Sequence, residues 1–165
     1  MGACEVTVRS QVQAVACAAV RIYSQWRLRV MLIASCHCGA VRLEVARKPR
    51  QLTDCNCSIC RRYGALWAYY SRTTVRLACP QQALVAYIWG DRTLEFYHCG
   101  TCGCVTHHER VRKTSNSTVA VNARMMEPEA IASVRIRKLD GALTWKYLDD
   151  QFQAATDNGS TRRAS

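Results

Sequence analysis

The spacing of the cysteines constrains this chain more than any other feature of its sequence. Seven of its 11 cysteines fall into three close groups, Cys36-x-Cys38, Cys55-x-Cys57-x-x-Cys60 and Cys99-x-x-Cys102. Close pairs suit tetrahedral Zn²⁺, because a tight turn can aim two sulfurs at one centre about 2.3 Å away. Two such turns supply four ligands, so the grouping predicts a metal-binding domain.

The three groups predict two metal sites of different character. The first and last pairs, Cys36 and Cys38 with Cys99 and Cys102, would form a saturated structural site that contributes free energy to folding. The middle triplet, Cys55, Cys57 and Cys60, has no obvious fourth partner in the sequence. Three protein ligands leave one position for water or substrate, and a thiol bound there would be deprotonated near neutral pH. We therefore expect thiol chemistry at the second site.

Other ligand sets stay open at the level of the sequence. Cys104, His37, His98, His107 or His108 could complete the second site and make it structural as well. His107 and His108 are neighbours on a predicted strand and point to opposite faces, so at most one of them lies near a given site. We interpret Cys104 as a small buried hydrophobic residue.

The cysteines indicate metal binding only in a reducing compartment, so export signals matter. The apolar run 12–20 is short, contains Gln13 and is followed by arginines instead of a cleavage site. No stretch of the sequence is long enough to span a membrane. We therefore expect a cytoplasmic protein with no membrane partner, in which clustered cysteines bind metal and do not form disulfides.

The net charge of +11 raises the question of nucleic-acid binding. Seven ionised thiols with two Zn²⁺ would lower that formal charge to about +8. The remaining Arg and Lys residues are scattered along the chain, with no long basic arm and no repeated aromatic platform. The sequence favours basic solvated faces over a nucleic-acid partner.

The hydrophobic pattern predicts one mainly β domain over residues 31–150. Residues 1–30 are interpreted as an N-terminal extension or a mis-called start, and residues 151–165 as a polar tail. Val41, Leu43 and Val45 alternate with polar residues, which is typical of a half-buried strand. Further strands are predicted over 65–71, 75–77, 84–89, 93–98, 105–109 and 117–122, one short helix over 128–132, and a closing hairpin from 134–139 and 143–148.

Several separated motifs carry a family resemblance. They are Ser35-Cys-His-Cys-Gly-Ala-Val-Arg, Cys55-Asn-Cys-Ser-Ile-Cys-Arg-Arg-Tyr-Gly-Ala-Leu-Trp, Tyr87 to Gly90, Cys99-Gly-Thr-Cys-Gly, Val121-Asn122-Ala123-Arg124 and Leu139-Asp140-Gly141. In this order they resemble the glutathione-dependent formaldehyde-activating enzyme family, also called the Gfa or centromere protein V family. The resemblance runs from about Ala34 to Leu148.

The resemblance implies an Mss4-like β-sandwich of short antiparallel strands around two zinc sites. It implies a structural zinc at Cys36, Cys38, Cys99 and Cys102, and a catalytic zinc at Cys55, Cys57 and Cys60. The implied activity is that of a carbon–sulfur lyase, the addition of glutathione to formaldehyde to give S-hydroxymethylglutathione. The implied partners are therefore glutathione or a related thiol and a small aldehyde.

Substrate contacts follow less directly from the sequence. Arg61 and Arg62 stand beside the triplet and could bind the carboxylates of glutathione. Of Trp67, Tyr69 and Tyr70, two are predicted to serve the core and one to line a pocket. The alternatives to an enzyme are a non-catalytic zinc-binding interaction module and a disulfide-linked redox protein.

Overall fold

A computed structural model describes residues 32–149, so the predictions for residues 1–30 and 151–165 lie outside the described residues. Ten strands form in this range: β1 Leu32–Ser35, β2 Arg42–Val45, β3 Leu52–Cys55, β4 Leu66–Ser71, β5 Val75–Ala78, β6 Leu84–Trp89, β7 Leu94–Cys99, β8 Val105–Arg110, β9 Thr118–Asn122 and β10 Ile136–Leu139. Two short helices accompany them, α1 Cys60–Tyr63 and α2 Pro128–Ile131. Within this range no helix has the length and apolar character needed to cross a membrane.

The strands form two sheets. The smaller sheet has the order β1-β2-β5, and the larger has the order β10-β3-β4-β9-β8-β7-β6. All neighbouring strands are antiparallel except β10, which pairs with β3 in parallel. The predicted mainly β, two-sheet fold with few helices is confirmed.

Strand alternation divides the interior into two clusters. Leu66, Ala68 and Tyr70 of β4 pack with Leu43 and Val45 of β2 in the core between the sheets. The residues between them on β4 point to the opposite face of the larger sheet, where Trp67 packs in a second cluster that contains the middle cysteine triplet. Because side chains alternate along a strand, one strand supplies both the core and the wall of the second site.

The end of the domain differs from the predicted hairpin. Residues 143–148 form no strand, and the chain returns to β10 through a single bridge between Leu139 and Tyr147. The carboxylate of Asp140 accepts hydrogen bonds from the backbone N–H and the hydroxyl of Thr144, at 3.2 and 2.8 Å. These bonds close a turn instead of extending a ladder, and β10 pairs with β3, where Leu139 stands beside Cys55.

Three further elements were not predicted, and the first of them is the opening strand β1. Strand β3 is only four residues long, Leu-Thr-Asp-Cys, which is too short for a clear periodic signal. Helix α1 begins at a cysteine and ends at Gly64, whose φ of 58° allows the left-handed conformation of a helix C-terminus.

Candidate metal centres and adjoining cavity

The first cluster brings together the two cysteine pairs that the sequence groups. The Sγ atoms of Cys36, Cys38, Cys99 and Cys102 all lie within 4.8 Å of one another. Cys38 Sγ is 3.6 Å from both Cys36 Sγ and Cys99 Sγ. Four thiolates around a tetrahedral zinc would stand roughly 3.8 Å apart, from a bond length of about 2.3 Å. The spacing fits a closed four-sulfur site that could hold a metal ion.

Backbone turns position these sulfurs. Gly39 and Gly103 adopt φ angles of 77° and 73°, and their N–H groups donate to the carbonyls of Cys36 and Cys99, each at 2.9 Å. Left-handed residues are readily supplied by glycine, so both turns fold locally. The cluster therefore joins the turn after β1 to the turn after β7.

The second cluster consists of Cys55, Cys57 and Cys60, whose Sγ atoms also lie within 4.8 Å of one another. All three residues are buried. Cys55 ends β3, Cys57 lies in the following loop, and Cys60 begins α1. Among residues 32–149, no fourth ligand atom from a His, Cys, Asp or Glu joins this group. The structure thus places the predicted triplet together and apart from the first cluster.

Neighbouring groups stabilise thiolates in both clusters. Hydrogen bonds from the Cys60 thiol and from the backbone N–H groups of Cys57 and Gly141 lower the pKa of Cys55 to about 6. The pKa of Cys60 rises in turn, because its thiol donates this hydrogen bond to the Cys55 thiolate and because it is buried. In the first cluster, backbone N–H groups of Cys104 and Cys38 lower the pKa of Cys102 to about 5. Backbone donors aimed at sulfur favour the thiolate form, which is the form that binds metal.

Two residues outside the triplet, Trp67 and Gly141, lie directly against its sulfur atoms. The indole N–H of Trp67, fully buried, donates to Cys60 Sγ at 3.2 Å. Gly141 lies so close that a Cβ at this position would stand 2.5 Å from Cys55 Sγ. Gly141 follows Asp140, which accepts a hydrogen bond from the side-chain amide of Asn56 at 3.0 Å. The turn after β10 is therefore fastened to the loop that carries the cysteines.

A cavity of about 320 Å³ adjoins the triplet. Its walls are mainly apolar and aromatic, and they come from the triplet loop, from β4, β7 and β8, from the β6–β7 hairpin, and from β10 with its following turn. The lining residues are Cys55, Cys57, Ile59, Cys60, Tyr69, Trp89, Gly90, Asp91, Thr93, Leu94, Phe96, His108, Leu139 and Trp145. This size is at the lower end of small-molecule sites in proteins.

The two adjacent histidines of β8 point to opposite faces, as predicted. His108 lines the cavity, with its ring edge-on to Trp67 at 4.6 Å between centroids, and burial lowers its pKa to about 4. His107 is buried on the other face, where its ring stacks on Tyr97 at 4.5 Å. Neither histidine joins a cysteine group in the described chain. His37, His98 and Cys104 also stand outside both groups.

The other predicted site residues separate in space. Trp67 and Tyr70 are buried in the two clusters, and Tyr69 lines the cavity, which confirms the expected division of these aromatics. Arg61 and Arg62 are exposed, and neither lines the cavity. Arg62 donates to the carbonyl of Ser58 at 2.7 Å and lines two open grooves, one of which shares Ile59 and Trp89 with the cavity. Their role as carboxylate partners stays a prediction.

Most of the residues that line the cavity were not predicted from the sequence. Asp91 and Trp145 belong to no motif, because they lie in turns that approach the triplet only in three dimensions. Trp89 lies in the segment Tyr87 to Gly90, which carried the resemblance, but the sequence did not mark it as a site residue. Gly141 could have been found, since Leu139-Asp140-Gly141 was one of the segments that carried the resemblance.

Comparison with known proteins agrees with this geometry. The family model described as glutathione-dependent formaldehyde-activating enzyme matches residues 31–136, a segment that contains all seven clustered cysteines. The chain belongs to this family. It is also similar to the crystal structure of a Rhodobacter sphaeroides protein determined by structural genomics. The two are 32% identical, the match covers 63% of this chain and 98% of that chain, and the TM-score is 0.52.

The region matched by the family model ends before some of the residues around the cavity. It includes Tyr69, Trp89 and His108, but Leu139, Gly141 and Trp145 follow its last matched residue. One wall of the cavity is therefore built by the segment of this chain that lies after the matched region.

Proposed function

We propose that this protein is a zinc-dependent enzyme of the carbon–sulfur lyase type. It would make or break the carbon–sulfur bond in the adduct of a small aldehyde with glutathione or a related thiol, as an S-hydroxymethylglutathione synthase does. The observation that carries the proposal is a cavity with three clustered sulfurs in its wall and no fourth ligand joining them from the described chain. We assign it to the cytoplasm, where reduced thiols are the rule.

The donor sets fit two zinc ions with different roles. Cys36, Cys38, Cys99 and Cys102 would hold the structural ion, and Cys55, Cys57 and Cys60 the catalytic one. When bound to the triplet, zinc would supply a Lewis acid that lowers the pKa of a thiol brought to it. The remaining tasks fall to the residues of the cavity.

The reaction needs little beyond positioning and one proton transfer. Addition of a thiol to formaldehyde forms one carbon–sulfur bond and breaks the π bond of the carbonyl group. The thiol proton ends on the carbonyl oxygen, and no oxidant or reductant is consumed. The site must therefore place sulfur beside carbon, exclude competing water and deliver a proton to oxygen.

The cavity walls suit these tasks. Ile59, Leu94 and Phe96 present apolar surface, which excludes water from the reacting carbon. Partial burial raises the pKa of Tyr69, so its hydroxyl stays protonated and can donate to the carbonyl oxygen. His108 is neutral near pH 7 because of its lowered pKa, and a neutral imidazole can relay a proton.

A matched pair of cysteine variants tests the proposal. We expect about two zinc ions per chain, with one removed first by a chelator. The exchange of ¹³C-formaldehyde with a panel of thiols, followed by NMR, should show protein-dependent formation of hydroxymethyl adducts. Cys57→Ala should abolish this rate and keep the fold. Cys79→Ala should retain it, because Cys79 belongs to neither cluster. Equal turnover by Cys57→Ala would refute the assignment.

The second candidate is a non-catalytic zinc-binding interaction module. It is favoured by edge strand β6, which leaves Val85 and Tyr87 about half exposed. Such a module would hold metal at both clusters and turn over no thiol and aldehyde pair. The same NMR experiment distinguishes the two functions.

A further inference from the structure

We propose that the cavity beside the triplet selects a thiol whose organic part is uncharged and apolar, and that Trp89 and Trp145 determine this selectivity. The inference rests on the proposed function and narrows its substrate class. Under this inference glutathione, with two carboxylates and an ammonium group, is a poorer substrate of this chain than a neutral aromatic thiol.

The charge of the cavity walls favours an uncharged ligand. Among the described residues that line the cavity, none is Arg or Lys, and Asp91 supplies the carboxylate. Asp91 is already engaged, because Oδ1 accepts hydrogen bonds from the N–H and hydroxyl of Thr93 at 3.1 and 2.7 Å. A substrate carboxylate inside the cavity would lose its hydration, find no cation among the lining residues and face a like charge, because Arg62 and Arg92 stand outside the lining. An uncharged group avoids each of these costs.

Exposed aromatic side chains surround the cavity. Tyr69, Trp89 and Trp145 are 41%, 40% and 67% exposed, and all three line the same cavity. Large aromatic side chains scattered singly need no explanation, but three around one cavity indicate a surface that a ligand covers. A flat apolar group would bury the faces of these rings.

The two tryptophans come from distant parts of the fold. Trp89 ends β6 and Trp145 follows β10, and these strands are the two opposite edges of the larger sheet. Both side chains nevertheless line one cavity beside the triplet. Because the two indole rings lie on separate elements, they can contact a ligand from two sides without movement of either element.

The backbone conformation at the rim of the cavity is unusual. In the described chain, the non-glycine residues with positive φ are Arg92, at 62°, and Trp145, at 56°. Both stand in the turns that carry the cavity rim. A bulky residue in this region is strained, and Trp145 is held there by its N–H, which donates to the carbonyl of Asp140 at 2.7 Å. The fold thus keeps an indole where a glycine would sit without strain.

The experiment compares three thiols with the zinc-loaded full chain. The probes are 2-phenylethanethiol, 2-mercaptoethanol and glutathione, each with ¹³C-formaldehyde, and the readouts are kcat/KM from NMR exchange and thiol affinity from tryptophan fluorescence. We expect the aromatic thiol to exceed glutathione by about 10-fold or more in both readouts.

Variants in one turn separate recognition from folding. Trp145→Gly removes the ring and relieves the positive φ, so the protein should remain folded. We expect it to lower kcat/KM for 2-phenylethanethiol about 10-fold more than for 2-mercaptoethanol. Leu143→Ala is the matched control, because Leu143 lies in the same turn, is 83% exposed and does not line the cavity. Trp89→Ala, with Tyr87→Ala as its control on β6, tests the other wall.

The outcomes keep the two proposals apart. If glutathione is turned over as well as the aromatic thiol, or if Trp145→Gly affects all three thiols equally, the selectivity is refuted and the proposed function stands. If no thiol is turned over but 2-phenylethanethiol binds and Trp145→Gly weakens it, the proposed function fails and the preference of the cavity stands. Absence of both binding and turnover refutes both.

Discussion

The indole N–H of Trp67 donates a hydrogen bond to Cys60 Sγ at 3.2 Å, across the buried side of the triplet. Trp67 is the second residue of β4, and Cys60 begins α1, so the bond joins the helix to the larger sheet. It also opposes the other influences that raise the pKa of Cys60. Groups that hydrogen-bond metal ligands usually set their orientation and their affinity for the ion.

Replacement of Trp67 by phenylalanine tests this role. Trp67→Phe keeps an aromatic ring but removes the N–H donor. We expect the metal of the triplet to bind about 10-fold more weakly, because the Cys60 thiolate loses a donor. Competition with a coloured chelator measures the affinity.

The four-cysteine cluster provides the internal control for this variant. Its sulfurs lie apart from Trp67, so its metal should be extracted at the wild-type rate. Equal weakening at both clusters would show a general loss of packing, and unchanged affinity at the triplet would show that the hydrogen bond has no effect on the metal.

Gly141→Ala should damage the triplet selectively. The added Cβ would stand 2.5 Å from Cys55 Sγ and 3.2 Å from Cys57 Cβ, so the turn or the cysteine loop must shift. We expect loss of one of two metal ions, measured by elemental analysis of the purified protein. The control is Gly64→Ala, which has nothing within 4 Å of the new Cβ and only the strain of a positive φ. That variant should lose about 1–2 kcal/mol of stability and keep both ions.

His107 should make the protein less stable in mild acid. Burial foremost, and the nearby positive charges of Lys113 and Arg72, lower its pKa to about 3 from the ordinary 6.5. Between pH 6.5 and 3 the imidazole of His107 is therefore protonated in the unfolded chain and neutral in the folded chain. Stability is full above pH 6.5 and falls as the pH drops, by up to about 1.4 kcal/mol for each unit.

The measurement compares wild type with His107→Phe by urea unfolding at several pH values. Acid release of metal affects both proteins, so the difference between their slopes isolates His107. Phenylalanine keeps the ring that stacks on Tyr97. The variant should lose less stability between pH 6.5 and 4.5, and parallel curves would contradict the assignment.

Tyr70→Phe should stabilise the core between the sheets. The Tyr70 hydroxyl is buried and finds no hydrogen-bond partner among the residues that the structure describes, and burial raises its pKa to about 12. A buried hydroxyl without a hydrogen-bond partner lowers the free energy of unfolding by about 1 kcal/mol or more. Tyr70→Phe removes this penalty and leaves the ring in place. Thermal unfolding should show a higher Tm, and a lower Tm would indicate a partner for the hydroxyl.

The cysteine groups could be predicted because their geometry is local. Cys36 with Cys38, and Cys99 with Cys102, are each brought together by one turn, and the seven positions also carry the family motifs. Most strands followed from residues that alternate with period two. The prediction of a closing hairpin was wrong because the side chain of Asp140 accepts hydrogen bonds from Thr144 and Asn56. The bond from Asn56 depends on the position of the loop after β3.

Short-range spacing was enough to predict a four-sulfur group, a three-sulfur group and the mainly β character of the chain. The surroundings of the triplet follow from long-range packing instead. Trp89, His108 and Trp145 come from three separate parts of the chain, and pairing between distant strands brings them to one cavity. Such contacts depend on sheet order and twist, which no local pattern of residues encodes.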